Sequence, residues 1–189
     1  MMQKGKATLN FQIENVLDGK VLATAPNTSN DITLREKNEN QPDMIVVVSG
    51  VPDSLTTIQF TRKFGHLSVL KTGDWKKICD YLLIYQNGEA YHAMFIELKK
   101  TLGGNRHPKE QLRRSRPLLE YLLAVCRIES RETIPTPSMS YVLIGERINE
   151  RLDKQPVKSR PGKIEEERYE GINIKKFLGP IVAFADLAL

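Results

Sequence analysis

Residues 78 to 99 read Ile78-Cys-Asp-Tyr-Leu-Leu-Ile-Tyr-Gln-Asn-Gly-Glu-Ala-Tyr-His-Ala-Met-Phe-Ile-Glu-Leu-Lys99, and this stretch decides the fold. Ile78 to Tyr85 is dense in Ile, Leu and Tyr, as a buried strand requires. Asn87-Gly88 is the strongest short hairpin signal, because a tight two-residue turn needs positive φ. Tyr91 to Lys99 is the returning strand. Together they predict an antiparallel hairpin at the centre of a sheet.

Working outward, Leu102 to Asn105 reads as a loop, and Pro108 opens a helix where proline is favoured. Leu112, Ser115, Leu119, Leu122, Leu123 and Cys126 recur at helical spacing. Pro117 lies inside that pattern and predicts a kink or a split into two helices. Ser140 to Gly145 and Gly171 to Phe177 read as further strands, and Gly179 to Leu189 as a short apolar helix covering the core. Upstream, Met44 to Val48 is a buried strand and Leu55 to Arg62 a half-buried one. Weaker strand signals lie at Leu9 to Ile13 and Val21 to Ala23. Residues 1–43 are otherwise a polar extension, and 149–171 a charged, exposed loop. This order predicts one domain over 1–189 of the α/β (α+β) class, a mixed central β-sheet flanked by helices.

The 189 residues are 40% hydrophobic and 27% charged, which excludes a wholly disordered or collagenous chain. No apolar run approaches the ~18 residues of a membrane span, and no apolar stretch follows the N-terminal Met-Met-Gln-Lys-Gly-Lys. Two cysteines, Cys79 and Cys126, form no disulfide framework. These features predict a cytoplasmic protein with no membrane partner. The net charge is +5, yet seven cations face only Glu110 between Lys99 and Arg116, a local balance of +6. Such a segment points to a polyanion partner; the plainer reading is a solvated helix face. Walker A, G-x-G-x-x-G and G-x-S-x-G patterns are absent.

With Asn87-Gly88 at the hairpin tip, paired residue numbers add to 175, so Asp80 faces Phe95 and Glu97 lies diagonally from Asp80. Opposed residues and their i±2 neighbours share a face. Asp80, Glu97 and Lys99 therefore point the same way, the two acids about 7–8 Å apart between Cα atoms. A three-residue loop would make the sum even and put the acids on opposite faces. Two carboxylates so placed can share a divalent cation with oxygen ligands, and Lys99 beside it can orient water or stabilise developing negative charge. The competing reading places Asp80 and Glu97 at exposed strand ends, with Lys99 as a salt-bridge partner.

Cys79-Asp80-Tyr-Leu-Leu-Ile, a turn, Phe95-Ile-Glu97-Leu-Lys99 and a helix carrying Gln111-Leu112 resemble the PD-(D/E)XK nuclease superfamily over about residues 77–127. The resemblance implies a restriction-endonuclease-like fold and metal-dependent hydrolysis of nucleic-acid phosphodiesters. DNA is the expected substrate more than RNA, and bacterial defence an expected setting. It implies Asp80, Glu97 and Lys99 as catalytic residues, with Asp80, Glu97 and the Leu98 carbonyl holding Mg²⁺, for which Mn²⁺ substitutes. Gln111 matches the glutamine many members place near the site, whereas Ser115 stands where some carry tyrosine. The superfamily often adds an upstream acid, for which Glu36 and Glu39 are candidates in a loop-like context. Lys100, Arg106, Lys109, Gln111 and Arg113 are the expected nucleic-acid contacts.

Two other classes remain open: a non-catalytic nucleic-acid-binding module on the same fold, and a protein-interaction domain. In the latter the apolar segment Ile181 to Leu189 docks a partner or a second copy. His92 should face away from Glu97 and reads as structural, and the cysteines as small buried hydrophobes.

Overall fold

A computed structural model describes residues 9–17, 22, 30–36, 42–60, 77–103, 106–131, 133–148 and 162–188. The expected hairpin is formed by β4 (Tyr81–Asn87) and β5 (Ala90–Leu102). Its tip differs by one step. Asn87 pairs with Ala90 and Tyr81 with Ile96, so the numbers add to 177 and the turn residues are Gly88 and Glu89. Gly88 has φ 59° and Glu89 is not in the positive-φ region. Positive φ at the first turn residue alone is the glycine-first alternative to an Asn-Gly turn. The sum stays odd, so Glu97 and Lys99 keep the face of Phe95 and Leu82, while Asp80 lies one residue before the paired run.

Six strands form the main sheet in the order β3 (Thr56–Gln59), β4, β5, β6 (Ser138–Ile148), β8 (Ile172–Leu178), β7 (Gly162–Tyr169). The strands β5, β6 and β8 are mutually parallel, and both flanks are antiparallel. The helix α2 (Arg106–Ser130) makes the crossover from β5 to β6, as a parallel pair requires. It is assigned as one helix through Pro117. The expected split does not occur, and the proline is on the exposed side.

Alternation along β4 and β5 divides the core. Leu82, Ile84, Ala93 and Phe95 face α2 through Leu112, Leu119, Leu122, Leu123 and Cys126. The helix α1 (Leu9–Val16) joins this layer with Leu9 and Ile13. There the sequence pattern had read as strand. The helix is pinned by Asn10, whose amide donates to Thr56 Oγ1 at 2.9 Å and to the Ile84 carbonyl at 3.0 Å.

The opposite face, with Tyr81, Leu83, Tyr85, Met94, Ile96 and Leu98, is covered by a second sheet and not by helices alone. That sheet runs β1 (Asp31–Glu36), β2 (Met44–Ser49), β9 (Ile181–Ala183), and α3 (Phe184–Ala188) follows it. The molecule is thus a mixed α+β fold in three layers: helices, a six-stranded sheet, and a three-stranded sheet. The N-terminal extension contributes α1 and β1 to the core, and the second half of the expected loop 149–171 is β7. The C-terminal apolar segment is largely spent inside the fold: Val182, Phe184 and Leu187 are buried, while Ile181 is exposed. No described helix is long and apolar enough to cross a membrane. The Val21 to Ala23 strand is seen only as a bridge from Leu22 to Ile58; its other residues, Glu39 and 149–161 lie outside the described residues.

Candidate active site

The strand β4 begins one residue after Asp80, and the Asp80 N–H still donates to the Ile96 carbonyl at 3.1 Å. The regular pairing ends at Tyr81 and Ile96, and the Asp80 N–H bond to Ile96 is one residue out of that register, a local irregularity at the strand end beside Glu97. Beyond Asp80, no strand among the described residues pairs with β5 on this side. Side chains stand in for one: the Leu98 N–H donates to Asp80 Oδ2 at 2.8 Å, and the Lys99 ammonium donates to the Leu98 carbonyl at 2.7 Å.

The same ammonium lies 2.8 Å from Glu97 Oε1 and 3.0 Å from Glu36 Oε1. Glu36 is the last residue of β1, in the other sheet. Of the two upstream candidates, Glu36 and Glu39, Glu36 meets the cluster, and a strand end delivers it, not a loop. Glu97 is fully buried, at 0% exposure. Lys99 approaches it as an ion pair without hydrogen-bond alignment, and neither Glu97 oxygen accepts a hydrogen bond from the described residues.

The electrostatics follow from this burial. Desolvation raises the Asp80 carboxyl to about 6, against the opposing pull of the Lys99 charge and the Leu98 N–H. Desolvation and then the Asp80 charge push Glu97 well above the usual carboxylate range, which Lys99 offsets only in part. Burial disfavours the Lys99 ammonium. The carboxylates of Glu97, Asp80 and Glu36 outweigh it and hold the lysine above its ordinary value. Three acids and one base make a site that is short of positive charge.

The helix α2 braces the start of β4. Ser115 Oγ accepts the Cys79 N–H at 2.9 Å and donates to the Gln111 carbonyl at 2.8 Å. Gln111 Nε2 donates to the Ile78 carbonyl at 3.2 Å, so the glutamine meets the strand entering the site. Cys79 and Cys126 are buried free thiols. His92 stacks on Tyr85 and meets Ser138 Oγ through Nδ1 at 2.6 Å, away from the carboxylates.

The basic helix is placed differently from expectation. Arg106 pairs with Glu110 and Glu170, each at 3.2 Å. Arg113 pairs with Glu170 at 3.3 Å and Glu110 at 3.4 Å, Arg114 with Glu110 at 3.0 Å, and Arg116 with Glu120 at 2.8 Å. Lys109 is buried against Glu167. Glu167 and Glu170 come from β7 and the turn after it, so part of the acid that offsets this helix lies in the segment read as a loop, and Glu110 and Glu120 on the helix supply the rest. Lys100, half-buried, adjoins Lys99 on β5.

Carboxylates and a carbonyl suit a hard divalent cation. Among the described residues, no three His, Cys, Asp or Glu side chains form a ready-made metal cage. Mg²⁺ commonly takes one or two carboxylates, waters and a substrate phosphate. The desolvated oxygens of Glu97 fit such an ion, because among the described residues neither accepts a hydrogen bond and the Lys99 ion pair offsets their burial only in part. No family model matches the chain, and no curated protein or solved structure matches it.

Proposed function

We propose that this chain is a metal-dependent nuclease of the PD-(D/E)XK type, hydrolysing phosphodiester bonds in nucleic acid, DNA in preference to RNA. One observation carries the reading: Asp80, Glu97, Lys99 and Glu36 converge at the end of β4, around buried Glu97 oxygens that lack hydrogen bonds. Asp80, Glu97 and the Leu98 carbonyl would hold Mg²⁺ or Mn²⁺. The ion supplies a Lewis acid for a phosphoryl oxygen and acidifies a bound water. Lys99 remains charged through neutral pH. Its ammonium, relieved of its carboxylates, is placed to orient the attacking water and to offset charge on the phosphoryl oxygens. The Leu98 N–H fixes one Asp80 oxygen, leaving the other for a ligand.

The internal pairing of the α2 cations favours a second reading, a module of this fold that does not act on nucleic acid. One assay separates the two. Plasmid, linear duplex, single-stranded DNA and RNA are incubated with Mg²⁺ or Mn²⁺, with and without EDTA, using wild type and Asp80→Asn. Metal-dependent cleavage, strongest on DNA and absent in the variant, is the expected result. A folded wild type that cuts nothing while binding metal would overturn the nuclease reading.

A further inference from the structure

Glu36 belongs to a different sheet from Asp80, Glu97 and Lys99, so something must hold the two sheets in register at this point. Tyr81 follows Asp80 and points into the layer between the sheets, where it is 2% exposed. Its hydroxyl donates to the Arg35 carbonyl at 2.9 Å and accepts the Arg35 N–H at 2.7 Å. It also accepts Gln59 Nε2 at 2.9 Å. A phenol has one proton to give, and these three bonds occupy its hydrogen-bonding positions.

Among the described residues β1 is an edge strand of its sheet, so at Arg35 its outward N–H and C=O have no described strand beside them. The Tyr81 hydroxyl takes the place of that strand. Arg35 is the residue before Glu36, and an extended residue spans only about 3.3 Å. Anchoring both polar groups of Arg35 therefore sets where the Glu36 side chain starts.

We propose that Tyr81 is a positioning residue that holds Glu36 on Lys99, a role that rests on the site reading above. Asp80 and Tyr81 then act as neighbours at the start of one strand. The aspartate enters the site directly, and the tyrosine brings a second sheet's acid to it.

The test uses a metal-free readout first. The Lys99 side-chain ammonium resonance, assigned by its loss in Lys99→Arg, is recorded in ¹⁵N-lysine-labelled wild type, Tyr81→Phe, Glu36→Gln and the double variant. Tyr81→Phe is expected to move the resonance in the same direction as Glu36→Gln, and the double variant to match Glu36→Gln alone. A second readout is Mn²⁺ affinity, expected to weaken about tenfold in each single variant and no further in the double. A wild-type resonance in Tyr81→Phe, or effects that add in the double variant, would overturn the proposal. In unmodified protein the Arg35 amide should exchange at least ~100-fold more slowly than an open edge amide. Free exchange there overturns the clamp even if Tyr81→Phe does not fold. Failure of wild type to bind Mn²⁺ would sink the metal reading, and the ammonium resonance would still decide the role of Tyr81.

Discussion

Glu97→Gln is expected to abolish cleavage while making the metal-free protein more stable. Loss of a carboxylate that holds the ion forfeits several kcal/mol of transition-state stabilisation, on the order of a 10³-fold fall in rate. Stability moves the other way. Glu97 is fully buried beside Asp80, with no aligned hydrogen bond to either oxygen. Glutamine keeps the shape and removes the charge, and Lys99 retains Glu36. Relief of an ill-compensated buried charge is worth about 1–3 kcal/mol, or about 3–10 °C in melting temperature for a chain this size.

The gain depends on pH. The folded-state pKa of Asp80 is raised from 3.8 to about 6, and that of Glu97 is raised well above 4.5. In the wild type, then, the folded state holds protons that the unfolded chain has released. Its stability falls as pH rises from about 4 through about 6. Calorimetry in EDTA should show the two proteins close at pH 4 and the variant ahead at pH 7.5. A variant less stable at pH 7.5, or one that still cuts, would show that Glu97 is an ordinary structural acid.

Lys99→Ala is expected to do the reverse to the metal-free fold. It leaves Asp80, Glu97 and Glu36 together with no positive charge among them. Removing one partner of a buried ionic cluster costs about 3–5 kcal/mol, so the melting temperature in EDTA should fall by about 10 °C. Mn²⁺ should recover much of that loss, and the rise on adding metal should be larger in the variant than in the wild type. Cleavage should stay absent even with the fold restored. Equal metal shifts in both proteins would mean that the ion does not bind among these carboxylates.

The hairpin and its acids were legible because strand alternation depends only on parity. An odd register sum keeps Glu97 and Lys99 on the face of Leu82 and Phe95 whether it is 175 or 177, and Asp80, one residue before the paired run, reaches them through the Leu98 N–H. The exact tip was not legible, since Gly88 supplies positive φ as readily at the first turn position as at the second. Glu36 was visible as an acid but not as a strand end, because β1 is stabilised by β2 and by Tyr81, neither of which its own sequence announces. The second sheet was hidden for a similar reason: β2 and β9 pair Val47 with Ile181, a contact no local pattern encodes. At Leu9 and Ile13 a spacing of four fits a helix, but the short segment alternates well enough to pass for a strand, and the three-way reach of Asn10 decides it. The fate of the basic helix was the least legible, because Glu167 and Glu170, which meet Arg106, Lys109 and Arg113, sit about sixty residues further on, in β7 and its turn.

That fate has a consequence for how the proposed nuclease would meet a nucleic acid. A lysine or arginine that replaces a condensed counterion on DNA sets that ion free, and affinity then falls steeply with ionic strength, with a log–log slope near −0.9 per contact. Arg106, Lys109, Arg113, Arg114 and Arg116 already carry carboxylates. A phosphate reaching them displaces a glutamate, which must then attract a cation from solution, so ions are exchanged and few are released. Duplex binding measured by fluorescence anisotropy across a KCl series, without divalent metal, should show a slope of about −1 to −2. A slope near −5 would mean that the glutamates let go and the helix faces the duplex bare.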